Sequence, residues 1–208
     1  MIRLPKFIRS IVGCADATSS RYALGGVNVE VADGVVNLTA TDGRILVNVS
    51  YGSESSQPVN TIVNGKALAK AFGAVCKAKC DERMEMSLVN ATPVAMVYGK
   101  KSPVPMVADV VEGRFPRWRD VFPDMTPKFA IRLDCELLAN LCKVFVEAGA
   151  SRATFHFTDE HSAVRIDAKA PTGEVIRAVA MPVATENGGS MPAPLGGFQV
   201  DASVAAAG

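Results

Sequence analysis

The strongest constraint on this chain lies in residues 27–51. VNVEV (27–31) puts Val27, Val29 and Val31 on one side and Asn28 and Glu30 on the other. Period-two alternation of this kind is the pattern of a strand with one face buried. Asp33-Gly34 follows, a pair suited to the positive φ angles of a tight hairpin. VVNLTAT (35–41) and RILVNVSY (44–51) then continue the alternation. Upstream, Phe7, Ile8, Ile11 and Val12 fall at helical spacing within residues 5–16, and Pro5 suits a first turn. Lys6 and Arg9 lie off that apolar side. The segment therefore predicts a helix followed by an antiparallel meander.

The same order of elements returns. PVNTIV predicts a short strand, and Asn64 can cap a helix over 65–77 with Leu68, Phe72, Val75 and Cys76 on its apolar side. Strands are expected around 84–89, 94–99 and 104–111. Farther on, FAIRL (129–133) leads to Asp134, a second good N-cap, and a helix over 135–148. Leu137, Leu138, Leu141, Val144 and Phe145 form its expected buried stripe, and Gly149 its stop. Strands around 153–158, 163–168 and 174–180 complete a third unit. The repeat has a period of about 60 residues. It lies in the order of elements, with little sequence identity between units.

Between the second and third units stands EGRFPRWRDVFP (112–123). Its prolines and its position make it a strap joining folded parts, with Phe115, Trp118 and Phe122 as anchors and Arg114, Arg117 and Arg119 at the surface. The expected organisation is one domain over 1–123, half a domain over 124–184 and a flexible, Gly/Ala/Pro-rich tail over 185–208.

Composition narrows the classes. Nearly half of the 208 residues are hydrophobic, so a buried core is expected rather than disorder. The net charge of +1 argues against a protein that coats nucleic acid but not against one that touches it locally. No apolar run approaches the ~18 residues of a membrane span, and MIRLPKFIRSIVGC is short and interrupted for a signal peptide. Five cysteines form an odd set in a chain able to fold without staples, which favours a reducing cytoplasm.

LGGVNVEVADGVVNLTATDGRILVNV resembles the first helix–meander unit of bacterial DNA polymerase III beta-subunit sliding clamps. EGRFPRWRDVFP is similar to their domain linker, and AVAMPVA (178–184) to their final strand. The resemblance covers most of residues 1–184 in the family's order. It implies an α+β, DNA-clamp-like fold of repeated helix and meander units, with helices lining a hole through which duplex DNA passes. It also implies no catalysis and no cofactor. Lys66, Lys70 and Lys77 fall opposite Leu68, Phe72 and Val75, and Lys6 and Arg9 share a side of the first helix. With Arg21, which falls where the family places a DNA-contacting residue, these are the expected DNA-facing side chains. Lysines on the outer face of an amphipathic helix are also ordinary solubilising residues.

The length departs from the family pattern. Clamps have three domains of two units each and close as pairs of chains, whereas three units make one and a half domains. One copy cannot encircle DNA, and four copies would supply a full ring's units. A four-copy ring is thus arithmetically open, as equally is a non-encircling monomer or dimer; a homo-oligomer is expected, with a polymerase or clamp loader as further partners. In the family Met-Pro lies at the C-terminus, beside a pocket for partner peptides. Met181 and Pro182 are the corresponding residues here, but a long segment follows them.

Other chemistry is weakly supported. CKAKC (76–80) lacks zinc-knuckle spacing and a second pair. Cys135 and Cys142 read as core or near-core thiols. A Cys142–His156 nucleophile would lack an orienting group and an oxyanion hole. Asp42-Gly43 reads as a turn, and no phosphate-cradling loop is present. The leading expectation is thus a non-catalytic DNA-tethering factor without metal; the alternative is a clamp-fold interaction module that does not encircle DNA.

Overall fold

The computed structural model describes residues 2–5, 7–16, 18, 22–53, 57–75, 84–89, 92–98, 103–107, 109–121 and 130–183. The chain divides into two compact units at residues 123/124.

In the first unit the elements run β1 (Ile2–Leu4), α1 (Ile8–Val12), β2 (Gly26–Ala32), β3 (Val35–Thr41), β4 (Leu46–Gly52), then β5 (Val59–Asn64), α2 (Gly65–Val75), β6 (Met84–Val89), β7 (Thr92–Tyr98) and β8 (Pro103–Val107). Each half is a strand, a helix and a three-stranded meander. The two halves exchange their first strands. β5 joins the first meander in the order β4-β3-β2-β5, and β1 joins the second in the order β1-β6-β7-β8. All these pairings are antiparallel, with Val27 opposite Val63 and Arg3 opposite Glu85.

The hairpin forms as its residues require: Asp33 and Gly34 have φ of 51° and 74°, both positive as a type I′ turn needs. Val27, Val29, Val31, Val36 and Leu38 point inward with Ile8 and Ile11 of α1, Leu68 of α2 and Met86 of β6, making one core. Helix α1 packs on α2, and Gly65 permits the approach, because a Cβ there would stand 3.2 Å from Val12 Cγ1. Asn64 caps α2 by accepting the Ala67 N–H at 3.1 Å. Helix α1 is shorter than the spacing of residues 5–16 suggests. Cys14 and Ala15 N–H turn to the carbonyls three residues back, which ends the α-helical ladder in a tighter turn.

In the second unit, α3 (Cys135–Glu147) precedes β9 (Ala153–His156), β10 (Val164–Lys169) and β11 (Val175–Ala180). The sheet order is β11-β10-β9. Asp134 Oδ1 accepts the Glu136 and Leu137 N–H groups at 2.9 Å, and Gly149, at φ 74°, ends the helix. Two expectations fail here. Of the α3 stripe only Phe145 is buried: Leu137 is 62% and Val144 52% exposed. Cys135 and Cys142 are exposed thiols rather than core ones. The physical reason is the same for both. A helix packed on a single three-stranded sheet buries one narrow line of residues, here Phe145 over Val164 and Ile166.

Candidate nucleic-acid interface

The helices of the first unit carry cations and no acids. Arg9 is exposed on α1, and Lys66 and Lys70 are exposed one turn apart on α2, opposite the fully buried Leu68. Neither helix sequence contains Asp or Glu, so nothing within the helices neutralises these charges. A layer of this kind attracts phosphate without reading bases. Lys6, Arg21 and Lys77 lie outside the described residues, as do CKAKC, Phe122 and the tail over 185–208.

Helix α3 differs in charge. It holds Glu136 and Glu147 against one lysine, Lys143, which sits 3.9 Å from Glu147 one turn on, so its net charge is negative. Met181 is exposed and Pro182 half-buried, and the Val183 N–H donates to the Arg132 carbonyl at 2.9 Å.

The strap is tied to the first sheet. Residues 109–111 run beside β5, with the Asn64 N–H donating to the Asp109 carbonyl and the Val111 N–H to the Ile62 carbonyl, each at 2.8 Å. Trp118 is 3% exposed and Phe115 half-buried. The Arg119 guanidinium lies 4.2 Å from the Trp118 ring centroid and makes two hydrogen bonds to Glu30. Between strap and sheet lies a groove of about 660 Å³ whose walls include Asn28, Asn60 and Ile62. Period-two alternation places Glu30 outward but cannot name a partner 89 residues away, so sequence reasoning misses this pair.

Among the described residues no group of three or more His, Cys, Asp or Glu side chains is placed to hold a metal ion. His156 Nε2 lies 3.1 Å from Asp167 Oδ2, on one face of the β9–β10 pair. Arg165, then the charge of His156, hold the Asp167 carboxyl below its ordinary value. Asp42 is a turn residue: its Oδ1 accepts the Arg44 and Ile45 N–H groups at 2.8 Å, and those bonds lower its pKa. No helix among the described residues is long and apolar enough to cross a membrane.

Solved structures with this fold include DNA polymerase III beta subunits, the bacterial sliding clamps. The DNA polymerase sliding clamp of Pseudomonas aeruginosa, solved with a ligand, superposes with a TM-score of 0.67 at 19% identity, over 87% of this chain and 50% of its own. The Bacillus subtilis clamp gives 0.67 at 18%, over 87% and 48%. The DNA polymerase III beta chain of Streptococcus pneumoniae gives 0.67 at 14%, over 88% and 50%. The chain spans about half the length of the clamps it matches. No protein-family model and no curated protein matches it.

Proposed function

We propose that this clamp-fold protein is a non-catalytic tethering factor that associates with duplex DNA through the helices of its first unit and works in the cytoplasm as more than one copy. The observation that carries this reading is the acid-free helix layer bearing Arg9, Lys66 and Lys70. In a fold shared with DNA polymerase sliding clamps, such a layer is suited to sequence-independent phosphate attraction. Lys6, Arg21 and Lys77 would extend it. A replicative polymerase or a clamp-loading protein is the partner class that a tether of this kind serves, and Met181 and Pro182 are the residues we assign to its contact.

The test is duplex-DNA affinity as a function of salt. The native chain should bind with a negative log–log slope. The charge-reversed pair Lys66→Glu and Lys70→Glu should weaken binding roughly ten-fold or more and flatten the slope by about 0.9 for each phosphate that is no longer neutralised. Unchanged affinity and slope would reduce these lysines to solubilising residues. A ring would add one further behaviour, retention on circular duplex and release when the circle is cut.

The exposed apolar residues of the second unit favour a second reading, an interaction module that does not encircle DNA. Salt-insensitive, DNA-independent association would favour that module.

A further inference from the structure

The second unit has the structure of half a domain, and the first unit shows what completes such a half. Its sheets have the orders β4-β3-β2-β5 and β8-β7-β6-β1, in which the fourth place is always taken by the first strand of the other half. The second unit repeats the first three places as β11-β10-β9, and the fourth is unfilled among the described residues.

The correspondence is detailed. In the first unit the Val111 N–H bonds the Ile62 carbonyl, and two residues later Asn64 caps a helix. In the second unit the Val183 N–H bonds the Arg132 carbonyl, and two residues later Asp134 caps a helix. Residues 130–133 thus stand where β5 stands. The other side of β5 is paired with β2 across Gly26–Val31, yet residues 130–133 form no strand and are paired with no strand among the described residues. What they lack is a neighbour of the β2 kind.

Burial agrees with this. Positions on β2 are almost all buried, whereas Thr154, Phe155 and His156 on β9 are exposed. Helices α1 and α2 bury Ile8, Ile11 and Leu68. Leu137 and Val144, seven residues apart and so on one face of α3, are left exposed with the half-buried Leu141 between them.

We propose that a second copy of this chain fills both places by reciprocal exchange. Residues 130–133 of each copy add antiparallel to β9 of the other, and α3 packs on α3 through Leu137, Leu141 and Val144. The result is a complete clamp-type domain built from two chains around a two-fold axis. The exchange is self-complementary: each half offers the strand that the other lacks, and closure leaves neither β9 edge open.

Light scattering on the native chain should show a species of twice the chain's mass. Hydrogen exchange should show protection at those Ala153–His156 amides that point away from β10; the amides facing β10 are protected in either case. Leu137→Asp with Val144→Asp changes only exposed side chains, so each unit should keep its circular dichroism. The pair should weaken self-association by roughly 100-fold or more, because each places an unpaired charge in the interface, and protection of the outer β9 edge should be lost with it. A native chain that remains monomeric at high concentration overturns the proposal. So does a dimer that survives both substitutions. A monomer in which the β9 amides facing away from β10 are already protected overturns it too and assigns that edge to another part of the same chain. The substitutions leave Arg9, Lys66 and Lys70 intact, so the salt-dependent DNA measurement stands or fails independently.

Discussion

The guanidinium of Arg119 grips the carboxylate of Glu30 with two hydrogen bonds of 3.0 Å. This fork joins the strap to the central strand pair of the first sheet, and the same guanidinium covers the buried Trp118 ring. A bidentate geometry is the strongest form of such a pair, but the arginine side chain is 48% exposed, which screens it.

Glu30→Gln should therefore cost about 1 kcal/mol or less in stability, while raising the rate of proteolysis within residues 112–121. Trp118→Ala removes the buried anchor itself and should cost about 3–5 kcal/mol. Urea unfolding of both variants checks the order. Equal losses would mean that the ion pair holds the strap as firmly as the indole does.

Gly26 is fixed by space rather than by backbone angle. A Cβ there would lie 2.5 Å from Ile62 Cγ2 and 2.8 Å from the Val63 carbonyl oxygen, a backbone atom that cannot swing aside. Gly26→Ala should destabilise the β2–β5 pairing by about 1–3 kcal/mol. Faster hydrogen exchange along β5 would report it, and native-like exchange there would show that the pairing accommodates the added Cβ.

Asp134→Ala removes an acceptor serving two N–H groups of α3 and should cost about 1 kcal/mol. Because the chain has two compact units, the loss should fall on the thermal transition of the second. A shift confined to the first would contradict this assignment.

Acid should weaken the fold through its depressed carboxylates. The carboxyl of Asp42 is held below its ordinary value of 3.8 by the Ile45 and Arg44 N–H groups. The Ser162 hydroxyl and then the His161 N–H do the same for Asp159, and Arg165 does so for Asp167. A folded pKa below the unfolded one favours the charged form in the native state. The associated stability is complete above the unfolded value and lost as pH falls through the lower, folded values. The urea midpoint should hold down to roughly pH 5 and fall below it, and Asp42→Asn should shallow that fall. An unchanged profile in the variant would remove Asp42 from the account.

Much of this fold is legible in the chain because its determinants are local. Alternation at Val27, Val29 and Val31 identifies a strand and its core face, although the structure covers the other face as well, leaving Asn28 only 4% exposed, and Asp33-Gly34 can adopt the two positive φ angles its turn requires. Asn64 and Asp134 announce helix starts that the hydrogen bonds confirm. The candidate interface is legible to the extent that exposure follows from amphipathic spacing, as it does for Lys66 and Lys70 opposite Leu68. Leu137 and Val144 are misread because period 3.6 marks an apolar stripe without showing whether anything covers it. Strand β1 goes unread because three residues carry too little periodicity to mark a strand.

By itself, then, the sequence determined the kinds of elements, their turns and caps, and their threefold recurrence, all of which depend on side chains within a few residues of one another. The tertiary structure alone decided which sheet each first strand enters, so that β1 lies with β6 and β5 with β2. Backbone N–H and C=O groups are the same along every strand edge, so no local pattern names the partner. That choice rests on burying Ile2 and Leu4 beside Met86, and Val63 among Val27 and its neighbours, in one shared core. The second unit, with one half and no exchange partner among its described residues, carries the same sequence signals and leaves its apolar stripe in the open.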